Sequence, residues 1–141
     1  MTERQMQTFF SKHVQQYPPI QTEAYELKIV KGTSLSFDAV KPHQEVALLQ
    51  AEQSNLFYKI SDTPWIKDNP MRFTAPKPFD CFVLVKVQSY VVLWYYKLRK
   101  PKYFIKIPIK AFIAEREKGL RKSLTEETAK EIGKEIFIKI T

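Results

Sequence analysis

The run Ala24 to Gln44, AYELKIVKGTSLSFDAVKPHQ, decides the fold. In its first half Tyr25, Leu27 and Ile29 alternate with Glu26 and Lys28, the period of two that sends successive side chains to opposite faces of a β-strand. The alternation predicts a strand from Ala24 to Lys31, with the three apolar side chains toward a core and Glu26 and Lys28 sharing the other face. Two positions along a strand span roughly 6.5–7 Å. A carboxylate and an ammonium at that spacing on a rigid element could engage a divalent cation and a phosphate together. Gly32 ends the strand, a polar loop follows, and Lys41-Pro42-His43-Gln44 reads as a helix start with proline in the first turn.

Upstream, Thr2 to Gln16 reads as a helix. Thr2 and Gln5 fit the S/T-x-x-E/Q cap, Met6, Phe9, Phe10, Val14 and Tyr17 fall at helical spacing, and Pro18-Pro19 stops it. Glu3 lies in the first turn, where a carboxylate suits the helix dipole. Downstream, a helix from Pro42 to Gln53 draws its apolar side from Val46, Ala47, Leu48 and Leu49, and Leu56 to Ile60 is a short strand. Ser61 to Pro78 is a long loop carrying Trp65, Lys67, Arg72 and Lys77, and loops of that length are usually functional or mobile. Phe79 to Val87 and Ser89 to Lys97 read as a hairpin of two central strands, apolar on both faces. A basic turn leads to a strand from Tyr103 to Ile109, in which Pro108 demands a sheet edge or a strand end. Ala111 to Lys118, closed by Gly119, and Ser123 to Ile132, opened by a Ser123–Glu126 capping box and ended by Gly133, read as helices before a last strand from Glu135 to Ile140. The expectation is an α/β fold: one domain over 1–141, with a central mixed sheet flanked by helices.

A chain of 141 residues can bury a proper core, and 44% hydrophobic with 13% aromatic content excludes a disordered one. Three glycines against nine prolines predict stiff turns rather than flexible linkers. The net charge of +8 suits a polyanionic partner, nucleic acid first and an acidic membrane surface second. The single Cys81 excludes an internal disulfide and a multi-thiolate zinc site, and its apolar neighbours mark it as a small core residue. The longest apolar run, Tyr90 to Tyr96, is too short for a membrane span, and MTERQMQTFF lacks a signal-peptide apolar region. A soluble cytoplasmic protein, bacterial or phage-encoded in a host cell, is expected.

Joined to Ser34-Leu35-Ser36-Phe37 and His43-Gln44, the Glu26-Leu27-Lys28 triplet resembles the PD-(D/E)XK nuclease superfamily. The likeness is nearest to RecU-like Holliday junction resolvases and their small phage and bacterial relatives. Lys77-Pro78-Phe79-Asp80 resembles the P-D half of that motif, and the Thr2-Glu3-Arg4 helix resembles the one carrying an accessory glutamate. The resemblance implies a restriction-endonuclease-like core with E-x-K on a central strand. It implies a Mg²⁺-dependent endodeoxyribonuclease, with Mn²⁺ as a possible substitute, that cuts branched DNA as a homodimer. Glu26 and Asp80 would ligate the metal and Glu3 would complete the acidic cluster. Lys28 would orient the attacking water or stabilise phosphate charge, and Gln44 would support the lysine or touch the DNA backbone. Lys31, His43, Lys67, Arg72, Lys77, Arg99 and Lys100 would contact DNA.

The chain departs from the family pattern because residues 1–25 contain no aspartate. Asp80 is the first choice for the second carboxylate, with Asp38 or Glu23 as alternatives. Two other functions stay open: a nuclease of nicking, exonuclease or restriction type, and a non-catalytic DNA-binding protein on a nuclease-like fold. Glu26 and Lys28 also have a plainer reading, as a solvated strand face or a cross-strand charge pair.

Overall fold

The computed structural model of the protein describes residues 2–17, 22–53, 87–98 and 103–137, together with the backbone of 56–59 and 81–84. The chain opens with α1 (Glu3–Gln16), where Thr2 and Gln5 form the reciprocal capping box that their spacing predicts. Strand β1 (Glu23–Val30) follows, then the short β2 (Ser34–Ser36), a 3-10 turn (Phe37–Ala39) and α2 (Pro42–Gln53). Next come β3 (Leu56–Lys59), β4 (Cys81–Leu84), β5 (Gln88–Tyr95), β6 (Tyr103–Pro108) and α3 (Ile109–Glu117). The described chain ends with β7 (Ser123–Thr125), α4 (Glu126–Ile132) and β8 (Lys134–Phe137).

The main sheet is mixed, in the order β1-β5-β6-β8. β1 and β5 run parallel, pairing Glu26 with Val91 and Lys28 with Leu93, and the other two pairings are antiparallel. A parallel pair needs a crossover, and α2 lies on it, packed against both strands.

Helices cover both faces. Tyr25, Leu27 and Ile29 of β1 join Val92, Trp94 and Phe104 against Met6 and Phe10 of α1. On the opposite face Val91, Leu93, Ile105 and Ile107 pack with Leu48 of α2, Phe112 of α3 and Ala129 of α4. α4 approaches β6 so closely that a Cβ on Gly133 would stand 2.8 Å from Ile107 Cγ1 and 2.9 Å from the Ala129 carbonyl oxygen. Gly119, which closes α3, has φ +67°, in the left-handed region where glycine alone is unstrained. No helix among the described residues is long and apolar enough to cross a membrane.

The α/β class with a mixed sheet between helices matches the sequence reading, and several details do not. β4 pairs antiparallel with β3 in a separate two-stranded sheet rather than forming a hairpin with β5. Of these two, β5 is therefore the one that is a central, doubly covered strand of the main sheet. β1 stands at the edge of the four described strands rather than at the centre. Ser123 begins β7, which pairs antiparallel with β2, and α4 is capped by Thr125, whose hydroxyl accepts from the Thr128 amide. The Ser123–Glu126 capping box therefore does not form, and the cap stands two residues later than that spacing predicts. Pro108 ends β6, which is an internal strand. On α2 the buried residues are Leu48 and Ala51, while Val46 is half exposed. Tyr17, placed on the buried stripe of α1 by its spacing, is 56% exposed beyond the helix end.

Candidate active site

Alternation along β1 puts Glu26 and Lys28 on the face toward α2, both partly exposed. Lys28 Nζ lies 3.0 Å from Glu26 Oε1. The same oxygen also accepts a hydrogen bond from α2: Gln44 Nε2 donates to Glu26 Oε1 at 2.7 Å. The reason is local. With Lys41 as the helix cap and Pro42 at the first position, Gln44 falls at the third, where a glutamine side chain can turn back on the cap. Its Oε1 accepts from the Lys41 amide at 2.9 Å. That bond fixes which end of the amide faces the strand, so Nε2 points at Glu26. Helix cap, amide and carboxylate form one chain of hydrogen bonds from α2 to β1.

Glu3, in the exposed first turn of α1, lines a shallow cavity of about 270 Å³ together with Thr2, Leu27, Lys28, Ile29 and Lys31. It therefore reaches the same edge of β1 as Lys28, although its helix covers the opposite face. Lys31 and His43 are exposed, one following β1 and the other in the first turn of α2. Asp80, Lys67, Arg72, Lys77, Arg99 and Lys100 lie outside the described residues, as do the side chains of Tyr58 and Cys81.

The two alternative carboxylates are placed by the structure. Asp38 sits exposed in the 3-10 turn before α2, with its amide donating to Ser36 Oγ, as a turn residue would. Glu23 points to the α1 face, away from Glu26. Lys106 Nζ meets both its oxygens, at 3.0 and 2.8 Å, and the Tyr25 hydroxyl donates to it. Burial first, and then the bond to Glu23, push the Tyr25 hydroxyl far above its ordinary pKa. Lys106 also lies 4.3 Å over the Tyr90 ring. Glu23 is thus engaged in an ion pair and a hydrogen bond on the α1 face, and does not share a face with Glu26. Its pairing with Lys106 bridges 83 positions, and nothing local in the sequence announces it.

Among the described residues no group of three or more His, Cys, Asp or Glu side chains is placed to hold a metal ion. Glu26 nonetheless suits a hard cation: it is an oxygen donor, partly open to solvent, with both described donors on a single oxygen. Mg²⁺ commonly binds through one or two carboxylates plus substrate phosphate and water.

No known protein family, curated protein or solved structure matches the chain.

Proposed function

We propose that the protein is a Mg²⁺-dependent DNA endonuclease, with branched DNA such as a four-way junction as substrate and a symmetric homodimer as the acting form. The observation that carries this reading is the meeting of Lys28 and Gln44 on Glu26 Oε1. Lys28 on the same strand and Gln44 on the next helix, both singled out in the sequence, meet on the carboxylate of Glu26.

Glu26 and Asp80 would hold the cation, with Glu3 at the margin of the site. When bound, Mg²⁺ would lower the pKa of a water and polarise the scissile phosphate. Gln44 keeps the Glu26 carboxylate in place through an amide anchored on the α2 cap. Lys28 offers a positive charge where negative charge grows on the phosphate. Lys31 lines the cavity with Lys28, and His43 precedes Gln44 in the first turn of α2; both are exposed and would bind the DNA backbone, adding affinity without reading sequence. The net charge of +8 agrees with a phosphate-tracking surface.

Cleavage of a labelled four-way junction and its matching linear duplex with Mg²⁺, for wild type, Glu26→Ala and Asp80→Ala, tests the proposal. Junction-selective cuts lost in both variants, with binding retained, are expected. Cutting of linear DNA alone would make it a nuclease of other specificity. Salt-sensitive binding without cleavage under any divalent metal would make it a DNA-binding protein on a nuclease-like fold.

A further inference from the structure

We propose that Lys28 is a built-in competitor of the cation: it occupies Glu26 in the cation-free protein and is released from that carboxylate when a divalent cation binds. The inference rests on the nuclease reading of Glu26 and adds how the site is switched on.

The two described partners of Glu26 Oε1 are not equally free to leave. Gln44 is held at both ends, its Nε2 on Glu26 and its Oε1 on the Lys41 amide. To move away it must also give up the cap of α2. Lys28 reaches the same oxygen by an ion pair of 3.0 Å at the end of a flexible four-carbon stem. A cation arriving at the carboxylate repels the ammonium and leaves the neutral amide in place. Lys28 also lines the shallow cavity shared with Glu3 and Lys31 at the edge of β1, so there is open space beside the stem. The carboxylate is thus neutralised while no cation is present, and the lysine charge becomes available to a phosphate only once the cation has replaced it.

The test uses the full chain and Ca²⁺, a hard cation of the same ligand preference, with two readouts: calorimetry for binding, and the acetylation rate of individual lysines followed by mass spectrometry. Ca²⁺ is expected to bind and to speed acetylation of Lys28 by about two- to fivefold, the range that a modest surface ion pair supports. Lys110, 71% exposed at its side chain and paired with Glu52, should keep its rate. In Glu26→Gln, Lys28 should react at the faster rate with or without Ca²⁺. Binding of Ca²⁺ with an unchanged or slower Lys28 rate would overturn the inference and leave the nuclease reading standing. No binding of Ca²⁺ at millimolar concentration would overturn both, because Glu26 would then not be a cation ligand.

Discussion

β1 presents a lysine-paired glutamate on each of its faces, and the two pairs are built for opposite ends. On the α1 side, Glu23 receives Lys106 on both oxygens and the Tyr25 hydroxyl as well, with side chains only 10% and 18% exposed. On the α2 side, Glu26 and Lys28 are 23% and 21% exposed, and both described donors share one oxygen. The first pair joins β1 to β6, which are not neighbours in the sheet. The second joins positions two apart on one strand and adds nothing to the topology. A pair that spans the sheet and saturates its carboxylate belongs to the fold. A local pair left open on one side is where chemistry can be placed.

Breaking each pair should show this difference as stability. Lys106→Met leaves Glu23 poorly solvated with the Tyr25 hydroxyl as its remaining described partner, and is expected to cost about 2–3 kcal/mol in urea unfolding. Adding Glu23→Gln should return part of that loss, because the stranded charge is removed. Glu26→Gln is expected to cost less than about 1 kcal/mol, while abolishing the cleavage proposed above. Equal losses for Lys106→Met and Glu26→Gln would erase the distinction.

Between those two in size stands a test of the layer behind the α2 face. Gly133→Ala would force a methyl group against Ile105, Ile107 and the Ala129 carbonyl. It is expected to destabilise by about 1–3 kcal/mol as overpacking, with any activity kept in the fraction that stays folded. A loss under about 0.5 kcal/mol would show that α4 can shift away from β6 at little cost.

The local features were legible from spacing alone. The capping box at Thr2, the strand carrying Glu26 and Lys28, and α2 beginning at Pro42 all follow from interactions a few residues apart. Pairing partners were not legible, because they depend on which strands meet across long separations. The apolar run of β4 next to that of β5 invites a hairpin, yet β4 pairs with β3 and β5 with β1 and β6. Ser123 followed by Glu126 imitates a helix cap, but Ser123 is taken up by the ladder to Ser36, and the cap falls to Thr125. For the site, alternation marked Glu26 and Lys28, while Gln44 came in through the family resemblance, as a support for the lysine or a contact to the DNA backbone; in the structure it donates to the glutamate. That follows from the Lys41 amide occupying the amide oxygen, a contact readable only once the helix start is fixed to the residue.

The smallest expected effect belongs to His13, and it sharpens the contrast from the α1 side. The ring lines a cavity with Glu23, Tyr25 and Lys106 and stacks obliquely on Tyr17. Burial first, and then the nearby Lys106 charge, lower its pKa below the ordinary 6.5. The folded protein therefore holds this proton less well than the unfolded chain does. Stability should be fully present above about pH 6.5 and should decline as pH falls below it toward the folded pKa. His13→Gln removes this contribution, so its unfolding free energy should fall less between pH 7 and 5 than that of wild type, as measured in urea at each pH. Lys106→Met should flatten the same slope in part, because one of the two causes is then gone. If neither substitution changes the slope, His13 does not sense the ion pair beneath it, and the α1 face is held by its aromatic packing without help from that charge.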